Sequence, residues 1–292
     1  MDFAFERLRR DVALWLFPVM LFVPVLVCAS DSTDISPLVQ GTVWQPDNAT
    51  INPVGQWQRL GAHQLLVQWT TVDNLAFVPG SDLYTLPVLP EWDRIAKEPW
   101  AQEVILGLAG RFDEKLARND LSKLVDTSVQ LALLPTPLNV VGWYFPVEID
   151  PTWGQVMQLA KQLDRLPRPL WISVYDSANW GAETLADSLS QWLPPDVGVF
   201  FQDGVGVHAR TAKVALHYAD VLVARFGKHR VKLIAEAFRP QIGGGFRSAS
   251  AEELLPQLAM YKNHSIYIFD GPHYVSDTLI DQLVQGKSAA GK

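Results

Sequence analysis

Strand-like and helix-like segments alternate along most of this 292-residue chain. Eight short apolar runs are separated by segments in which apolar residues recur at helical spacing, an alternation that is typical of a parallel sheet. The strand candidates are Gly41–Gln45, Gln64–Thr70, Glu103–Leu108, Asn139–Phe145, Leu170–Tyr175, Gly198–Gln202, Val231–Ala235 and Ser265–Phe269. One repeat takes about 32 residues, which is enough for one strand and one helix.

Helical patterns lie between the strand candidates. They are Gln56–Gly61, Glu91–Lys97, Leu121–Leu133, Trp153–Leu163, Ala182–Trp192, Arg210–Phe226, Ala251–Tyr261 and Asp277–Val284. Eight such repeats in about 250 residues predict a (β/α)8 barrel, the TIM-barrel architecture, over residues 41–285. A doubly wound open sheet is the alternative. Residues 204–209 match the dinucleotide fingerprint GxGxxA, but that fingerprint belongs to the first strand–helix turn of such a sheet, so the closed barrel is favoured.

The N-terminus has the pattern of an export signal. Arg7, Arg9 and Arg10 precede an apolar run over residues 12–27, which is followed by the small residues Ala29 and Ser30. We predict a signal peptide or membrane anchor at 1–30, a linker at 31–40 and a disordered tail at 286–292. The protein is therefore expected to be periplasmic or secreted in a bacterium, with tethering to the inner membrane through 12–27 as the alternative to cleavage. Lipoprotein processing at Cys28 is disfavoured, because Val27 stands where a small residue is needed.

The composition argues against several classes of partner and ligand. The net charge is -7, and no cluster of Lys and Arg follows the first ten residues, so we expect no nucleic-acid partner. The only cysteine is Cys28, and none of the six histidines forms an HxH or HExxH motif. We therefore predict no metal and no cofactor.

Five successive strand candidates carry an acid at or just beyond the carboxyl end, where barrels of this type place their active sites. These acids are Glu148, Asp176, Asp203, Glu236 and Asp270. Asp after a strand is also a common turn or cap residue, so the three aspartates have a structural explanation. The glutamates are harder to explain in that way, although Glu148 could be a solvated loop acid and Glu236 could pair with Arg239.

Two carboxyl groups that flank a glycosidic bond can hydrolyse it. Glu148 and Glu236 suit this chemistry because the fourth and seventh strands face each other across an eight-stranded barrel. A carboxyl separation of about 5–5.5 Å would predict retention of configuration, and one of about 6.5–9.5 Å would predict inversion.

Aromatic and amide side chains lie near the same strand ends, where flat rings can bind sugar faces and amides can bind hydroxyl groups. The alternative is that these rings pack in the core, which is the prediction for Trp171 and Trp192. Gln45 and Gln68 are further amides at strand ends. The predicted substrate-binding residues are Trp44, Trp69, Trp143, Tyr144, Tyr175, Asp176, Asn179, Trp180, Gln202, Asp270, His273 and Tyr274.

Two segments carry a family resemblance. GWYFPVEID (142–150) followed by FFQDGVGV (200–207) resembles the bacterial family known as domain of unknown function 4434, whose members are thought to be glycoside hydrolase-like TIM barrels. The similarity covers about residues 38–285. More distantly the chain is similar to glycoside hydrolase clan A, and this implies Glu148 as proton donor and Glu236 as nucleophile. Val147 stands where the clan usually has Asn, and Phe269-Asp270 stands where it often has Trp. These departures make Asp203 the candidate third acid.

We therefore expect an exported glycoside hydrolase with a retaining two-carboxylate mechanism, acting on a polysaccharide or oligosaccharide in exopolysaccharide or envelope metabolism. The alternatives are a catalytically degenerate carbohydrate-binding barrel and another hydrolase or lyase that uses the same acidic rim. The segment 71–90 is predicted to be a rim loop that shapes the cleft.

Overall fold

A computed structural model of the chain describes residues 37–290. These residues belong to one compact unit, Asp34–Lys292. The predicted signal segment 1–30 and residues 31–36 of the predicted linker lie outside the described residues. The end of that linker is already part of the folded unit, because Val39 is buried and its amide donates to the carbonyl of Leu60 at 3.1 Å.

Eight parallel strands form a closed barrel, as predicted. Each strand pairs with its neighbours in sequence, and β1 pairs with both β2 and β8. The open-sheet alternative is therefore wrong. The strands are β1 Gly41–Trp44, β2 Gln64–Val67, β3 Glu103–Gly107, β4 Val140–Ile149, β5 Leu170–Val174, β6 Val197–Gln202, β7 Val231–Glu236 and β8 Ile266–Phe269.

The interior of the barrel is filled by large side chains. Alternate residues of a strand point to opposite faces, and one face of every strand except β5 contributes to a buried cluster of Val43, Leu66, Ile105, Tyr144, Phe200, Ile234 and Tyr267. Trp171 of β5 packs against this cluster, as predicted for a core residue. Phe200 lies among three of the rings, with centroids 5.7 Å from Tyr144, 5.4 Å from Trp171 and 4.9 Å from Tyr267. The opposite strand faces form the larger core beneath the helices.

The helices of the described part of the chain surround the barrel. They are α1 Trp92–Ile95, α2 Glu114–Asn119, α3 Leu121–Leu131, α4 Met157–Leu163, α5 Ala182–Trp192, α6 Ala212–Phe226, α7 Ala251–Met260, α8 Gly271–Tyr274 and α9 Asp277–Ala290. In α5 the predicted bounds are confirmed, and Leu185, Leu189 and Trp192 form its buried stripe. The first predicted helix is only a 3-10 turn, Trp57–Leu60, and α4 begins four residues later than predicted.

The C-terminal segment differs from its prediction. Residues 286–290, predicted to be disordered, continue α9. Gly286 lies so close to α7 that a Cβ there would be 2.4 Å from Leu255 Cδ1. The helix therefore extends because it packs on a neighbour, a contact that composition does not reveal.

The long segment after β2 contains secondary structure of its own. Its short strands Thr71–Val72, Leu75–Ala76 and Tyr84–Thr85 form a four-stranded sheet with Ala109–Gly110. No residue of 71–90 lines the pocket described below, and a role of this segment in shaping a wider cleft stays a prediction. None of the helices within residues 37–290 is long and apolar enough to cross a membrane.

Candidate active site

A pocket opens at the carboxyl ends of the strands. It has two adjoining halves of about 180 and 230 Å³. Both halves are lined by Glu148, Gln202, Ile234 and Phe269. The first half is also lined by Val43, Gln45, Gln68, Glu114, Tyr144, Pro146 and Ser173, and the second by Tyr175, Val207, Glu236 and Phe238. The structure thus brings Glu148 and Glu236 to one pocket.

Glu148 lies within β4, which continues four residues beyond the predicted end. The register of β4 on β5 shifts between Phe145 and Glu148, which pairs with Ser173. The extra length is two residues, an even number, so the side chain of Glu148 points to the inside of the barrel, as that of Tyr144 does. Its half-buried carboxylate accepts a 2.9 Å hydrogen bond from Gln202 Nε2. Burial raises the pKa of Glu148, against the opposing effects of Gln202 and Arg118.

Glu236 is the last residue of β7 and is 5% exposed. Its Oε2 accepts hydrogen bonds from the amides of Gly206 at 2.7 Å and Val207 at 3.3 Å. Burial, and secondly the negative charge of Asp203, raises the pKa of Glu236. The alternative of an ion pair with Arg239 is wrong, because that guanidinium donates to the main-chain carbonyl of Glu236, at 3.1 Å, rather than to its carboxylate.

Gly206 explains the glycine pattern after β6. A Cβ at this position would lie 2.7 Å from Glu236 Cβ and 2.9 Å from Glu236 Oε2. Only glycine allows its amide to approach the carboxylate so closely. The GxGxxA segment therefore holds an acid of the pocket, a role that needs no nucleotide.

Asp203 lies beneath Glu236 and is fully buried. Its Oδ2 accepts from Gln257 Nε2 at 2.6 Å and from the Tyr261 hydroxyl at 3.1 Å, and its Oδ1 accepts from the amides of Val205 and Glu236. Asp203 is therefore wrong as a substitute nucleophile, because a group without access to the pocket cannot reach a substrate. It is a positioning residue whose charge acts on Glu236.

Replacing Asp203 with Asn should move the pH dependence of any reaction that needs ionised Glu236. A neighbouring negative charge disfavours the ionised form, so its removal lowers the pKa of Glu236. The acidic limb of kcat/KM should then shift to lower pH, measured on a chromogenic substrate. The matched control is Asp176→Asn, since this buried acid bonds to Tyr218 and Gly181 instead. An unchanged limb in folded Asp203→Asn would show that Asp203 does not act on Glu236.

Some of the predicted substrate-binding residues do line the pocket. Tyr144 lines the first half and Tyr175 the second, and Gln202 lines both, where its Nε2 donates to Glu148 and, at 2.6 Å, to Ser173 Oγ. Burial raises the pKa of Tyr144.

The predicted tryptophans on β1 and β4, and the one just after β2, do not line the pocket. Trp44 is fully buried and its indole donates to the carbonyl of Thr50, Trp69 is 3% exposed and donates to that of Pro46, and Trp143 packs in the core beneath the helices. The prediction is wrong for these three because their neighbours Val43, Gln68 and Tyr144 take the inward positions, and alternation turns the tryptophans outward.

The predicted substrate-binding aspartates, Asp176 and Asp270, do not line the pocket either. Asp176 is fully buried and accepts from the Tyr218 hydroxyl at 2.7 Å. Asp270 is 1% exposed and accepts from the amide of Gln45 at 3.0 Å, so it supports a lining residue without being one. Both predictions of direct substrate contact are wrong, and neither aspartate caps the helix that follows it, since the side chain of Asp270 makes no capping hydrogen bond and Gly181 is the N-cap after Asp176.

The remaining predicted residues lie outside the pocket. His273 bridges Asp270 and Asp47 at 2.9 and 3.0 Å, and the hydrogen bond to Asp270 raises its pKa to about 9. Tyr274 packs on Phe238. Asn179 and Trp180 line a separate groove with Arg210, in which Trp180 is 54% exposed. None of these four lines the pocket of Glu148 and Glu236.

Sequence reasoning missed Glu114 and Arg118, both on α2. Glu114 lines the first half of the pocket, and Arg118 donates to the main-chain carbonyl of Glu148 at 3.0 Å. The available signal was Asp113, which caps α2 by accepting from the amide of Leu116 at 2.9 Å and so marks a helix directly after the third strand. Within residues 37–290, no group of three or more His, Cys, Asp or Glu side chains could hold a metal ion.

Comparisons with known proteins do not assign the chain to a family. No protein-family model matches the chain, and no curated protein matches it either. The resemblance to domain of unknown function 4434 and to glycoside hydrolase clan A stays a prediction.

Proposed function

We propose that the protein is an exported glycoside hydrolase that cleaves a polysaccharide or oligosaccharide by a retaining mechanism. The observation that carries this proposal is the meeting of Glu148 and Glu236, from strands four and seven, in one pocket at the barrel mouth. Export is inferred from the sequence of residues 1–30. Two carboxyl groups in one pocket are the minimum machinery for this reaction.

Glu148 is suited to be the proton donor. Its burial raises the pKa of its carboxyl and so favours the protonated form that a general acid needs. In the first step it transfers its proton to the glycosidic oxygen as the bond from that oxygen to the anomeric carbon breaks. Gln202, bonded to the Glu148 carboxylate, fixes the direction of the side chain.

We assign Glu236 as the nucleophile because two main-chain amides favour its ionised form, against burial and the charge of Asp203, which raise its pKa. The amides of Gly206 and Val207 hold Oε2, while no donor of the described residues bonds to Oε1. Oε1 would attack the anomeric carbon and form a glycosyl ester. Glu148, now a carboxylate, would then take a proton from water as the water oxygen attacks the anomeric carbon and Glu236 leaves as a carboxylate.

The rest of the lining supports a sugar ligand. Gln45, Gln68 and Ser173 are uncharged hydrogen-bonding groups, and Gln68 Oε1 is buried without a donor from the described residues. Such an unsatisfied acceptor is costly unless a ligand or water supplies a donor. Phe238 and Phe269 provide apolar surface in the second half.

A panel of bacterial polysaccharides tests the proposal. The full chain should release oligosaccharides from at least one of them, measured by mass spectrometry, while Glu148→Gln and Glu236→Gln should not. Glu91→Gln is the matched control, because Glu91 pairs with Arg94 on the surface, away from the pocket. The anomer formed first, followed by proton NMR, should have the configuration of the substrate.

Two results would count against this assignment. Cleavage that survives both substitutions would remove Glu148 and Glu236 from the reaction. Binding of a polysaccharide without cleavage under any condition would favour the alternative, a carbohydrate-binding barrel that has lost catalysis.

A further inference from the structure

We propose that Glu114 and Arg118 of α2 form a clamp that holds the main chain of Glu148, and that the charges of this clamp act on the Glu148 carboxyl. This inference rests on the proposed function, since it assigns roles for the same reaction. Both residues are positioning residues, because they act through Glu148.

The irregularity of β4 creates the need for such a clamp. Phe145 pairs with Ile172, but the next pair is Glu148 with Ser173, so β4 has two more residues than its partner in this stretch. A bulge takes main-chain groups out of the regular ladder. Buried amide and carbonyl groups that lose their ladder partners need other partners.

Helix α2 supplies those partners. Glu114 Oε2 accepts from the amide of Glu148 at 2.9 Å, and Arg118 Nη2 and Nε donate to the Glu148 carbonyl at 3.0 and 3.3 Å. Residues four apart lie on the same face of a helix. One face of α2 therefore holds both main-chain polar groups of Glu148. Arg118 is itself supported by the ring of Trp153, 5.4 Å from its guanidinium carbon.

Glu114 also belongs to the pocket, where it lines the same half as Glu148. No ion pair of Glu114 is present among the described residues, although the charge of Arg118 acts on it and lowers its pKa in part. Burial above all, and also the negative charge of Glu148, raises the pKa of Glu114 to about 7. Two carboxyl groups that repel each other do not titrate independently. The clamp therefore places a second carboxyl group, which senses the charge of Glu148, in the same half of the pocket.

Several other polar groups surround Glu148. Asp150 accepts hydrogen bonds from Thr152 and Ser177, and its negative charge raises the pKa of Glu148, whereas Arg118 favours ionised Glu148. The titratable and polar groups around Glu148 are Glu114 and Arg118 of α2, Tyr144 and Asp150 on or beside β4, Ser173 and Tyr175 on or beside β5, Gln202 of β6 and Glu236 of β7.

Two substitutions with opposite signs test the clamp. Glu114→Gln keeps an acceptor for the Glu148 amide but removes a nearby negative charge, so the pKa of Glu148 should fall. Arg118→Gln removes a positive charge, so the pKa of Glu148 should rise. The measurement is a carbon-13 NMR titration of the full chain labelled at glutamate carboxyl carbons, with Glu148→Gln used to assign the signal.

A third substitution separates position from charge. Glu114→Asp keeps the charge but shortens the reach to the Glu148 amide. The pKa of Glu148 should stay closer to that of the wild type than in Glu114→Gln. On a cleaved substrate, Glu114→Asp should lower kcat with little change in KM, while Glu114→Gln should move the alkaline limb of the kcat/KM profile to lower pH.

The titration needs no substrate, so its result is independent of whether the chain is a hydrolase. If no polysaccharide is cleaved but the two pKa shifts appear, the clamp stands and the proposed function fails. If cleavage depends on Glu148 but Glu114→Gln and Arg118→Gln leave its pKa unchanged, or move it in the same direction, the clamp is wrong. If Glu114→Gln does not fold, Arg118→Gln and Glu114→Asp still decide the question.

Discussion

Removal of Glu236 should abolish cleavage of every glycoside that the protein accepts, whereas the effect of removing Glu148 should depend on the leaving group. A nucleophile is needed for any leaving group, so Glu236→Ala should lower kcat by more than about 10⁴-fold on all substrates. A proton donor matters only where the leaving oxygen is basic. Glu148→Ala should therefore lower kcat by about 10²–10⁴-fold on a natural oligosaccharide. On a nitrophenyl glycoside, whose leaving oxygen is only weakly basic, kcat should fall far less.

Adding azide as an external nucleophile tests the same two roles through the configuration of the product. In Glu148→Ala the glycosyl ester on Glu236 still forms, and azide that attacks it should give a glycosyl azide of the same configuration as the substrate. In Glu236→Ala azide would attack the substrate directly and give the opposite configuration. Glycosyl azides with these assignments exchanged would reverse the roles of Glu148 and Glu236, and an equal loss on both substrate types would remove the distinction between acid and nucleophile.

The largest expected effect on stability comes from Phe200. This ring is fully buried inside the barrel and contacts the rings of Tyr144, Trp171 and Tyr267. Phe200→Ala should lower the free energy of unfolding by about 3–5 kcal/mol, because a barrel closed on all sides cannot collapse into the space left behind. Urea unfolding followed by tryptophan fluorescence measures the change.

Phe112→Ala is the matched control for that measurement. Phe112 is 56% exposed, and its ring makes an edge-to-face contact with the ring of Trp69. We expect its loss to cost less than about 1 kcal/mol. Equal losses for the two substitutions would show that the interior cluster does not hold the barrel together.

The positions of the strands could be predicted because their signal is local. Apolar runs separated by helical patterns are expected wherever parallel strands are covered by helices, and all eight runs became barrel strands. Glu148 and Glu236 could be predicted to share the barrel mouth because the strand ends of a parallel barrel meet at one face. Short elements such as α2 and the true start of α4 were missed, since four to seven residues carry too little periodicity.

The direction in which each aromatic residue points could not be predicted. Both faces of a barrel strand are buried, one in the interior and one beneath the helices, so hydrophobicity does not distinguish them. Trp44 and Trp143 therefore looked like rim residues, although both lie beneath the helices, while Phe200 points inward. The two-residue irregularity in β4 is invisible in the same way, because it leaves the alternation of apolar residues intact.

The sequence by itself determined the closed eight-stranded barrel and two of the carboxylates at its mouth, because strand order and strand ends follow from patterns within each repeat. Only the tertiary structure decided that Asp203, Asp176 and Asp270 are buried supports, and that Glu114 and Arg118 reach the main chain of Glu148. Those facts depend on contacts between residues about 30 or more positions apart, such as Asp203 with Gln257 and Glu114 with Glu148. Packing sets such contacts, and no local periodicity encodes them.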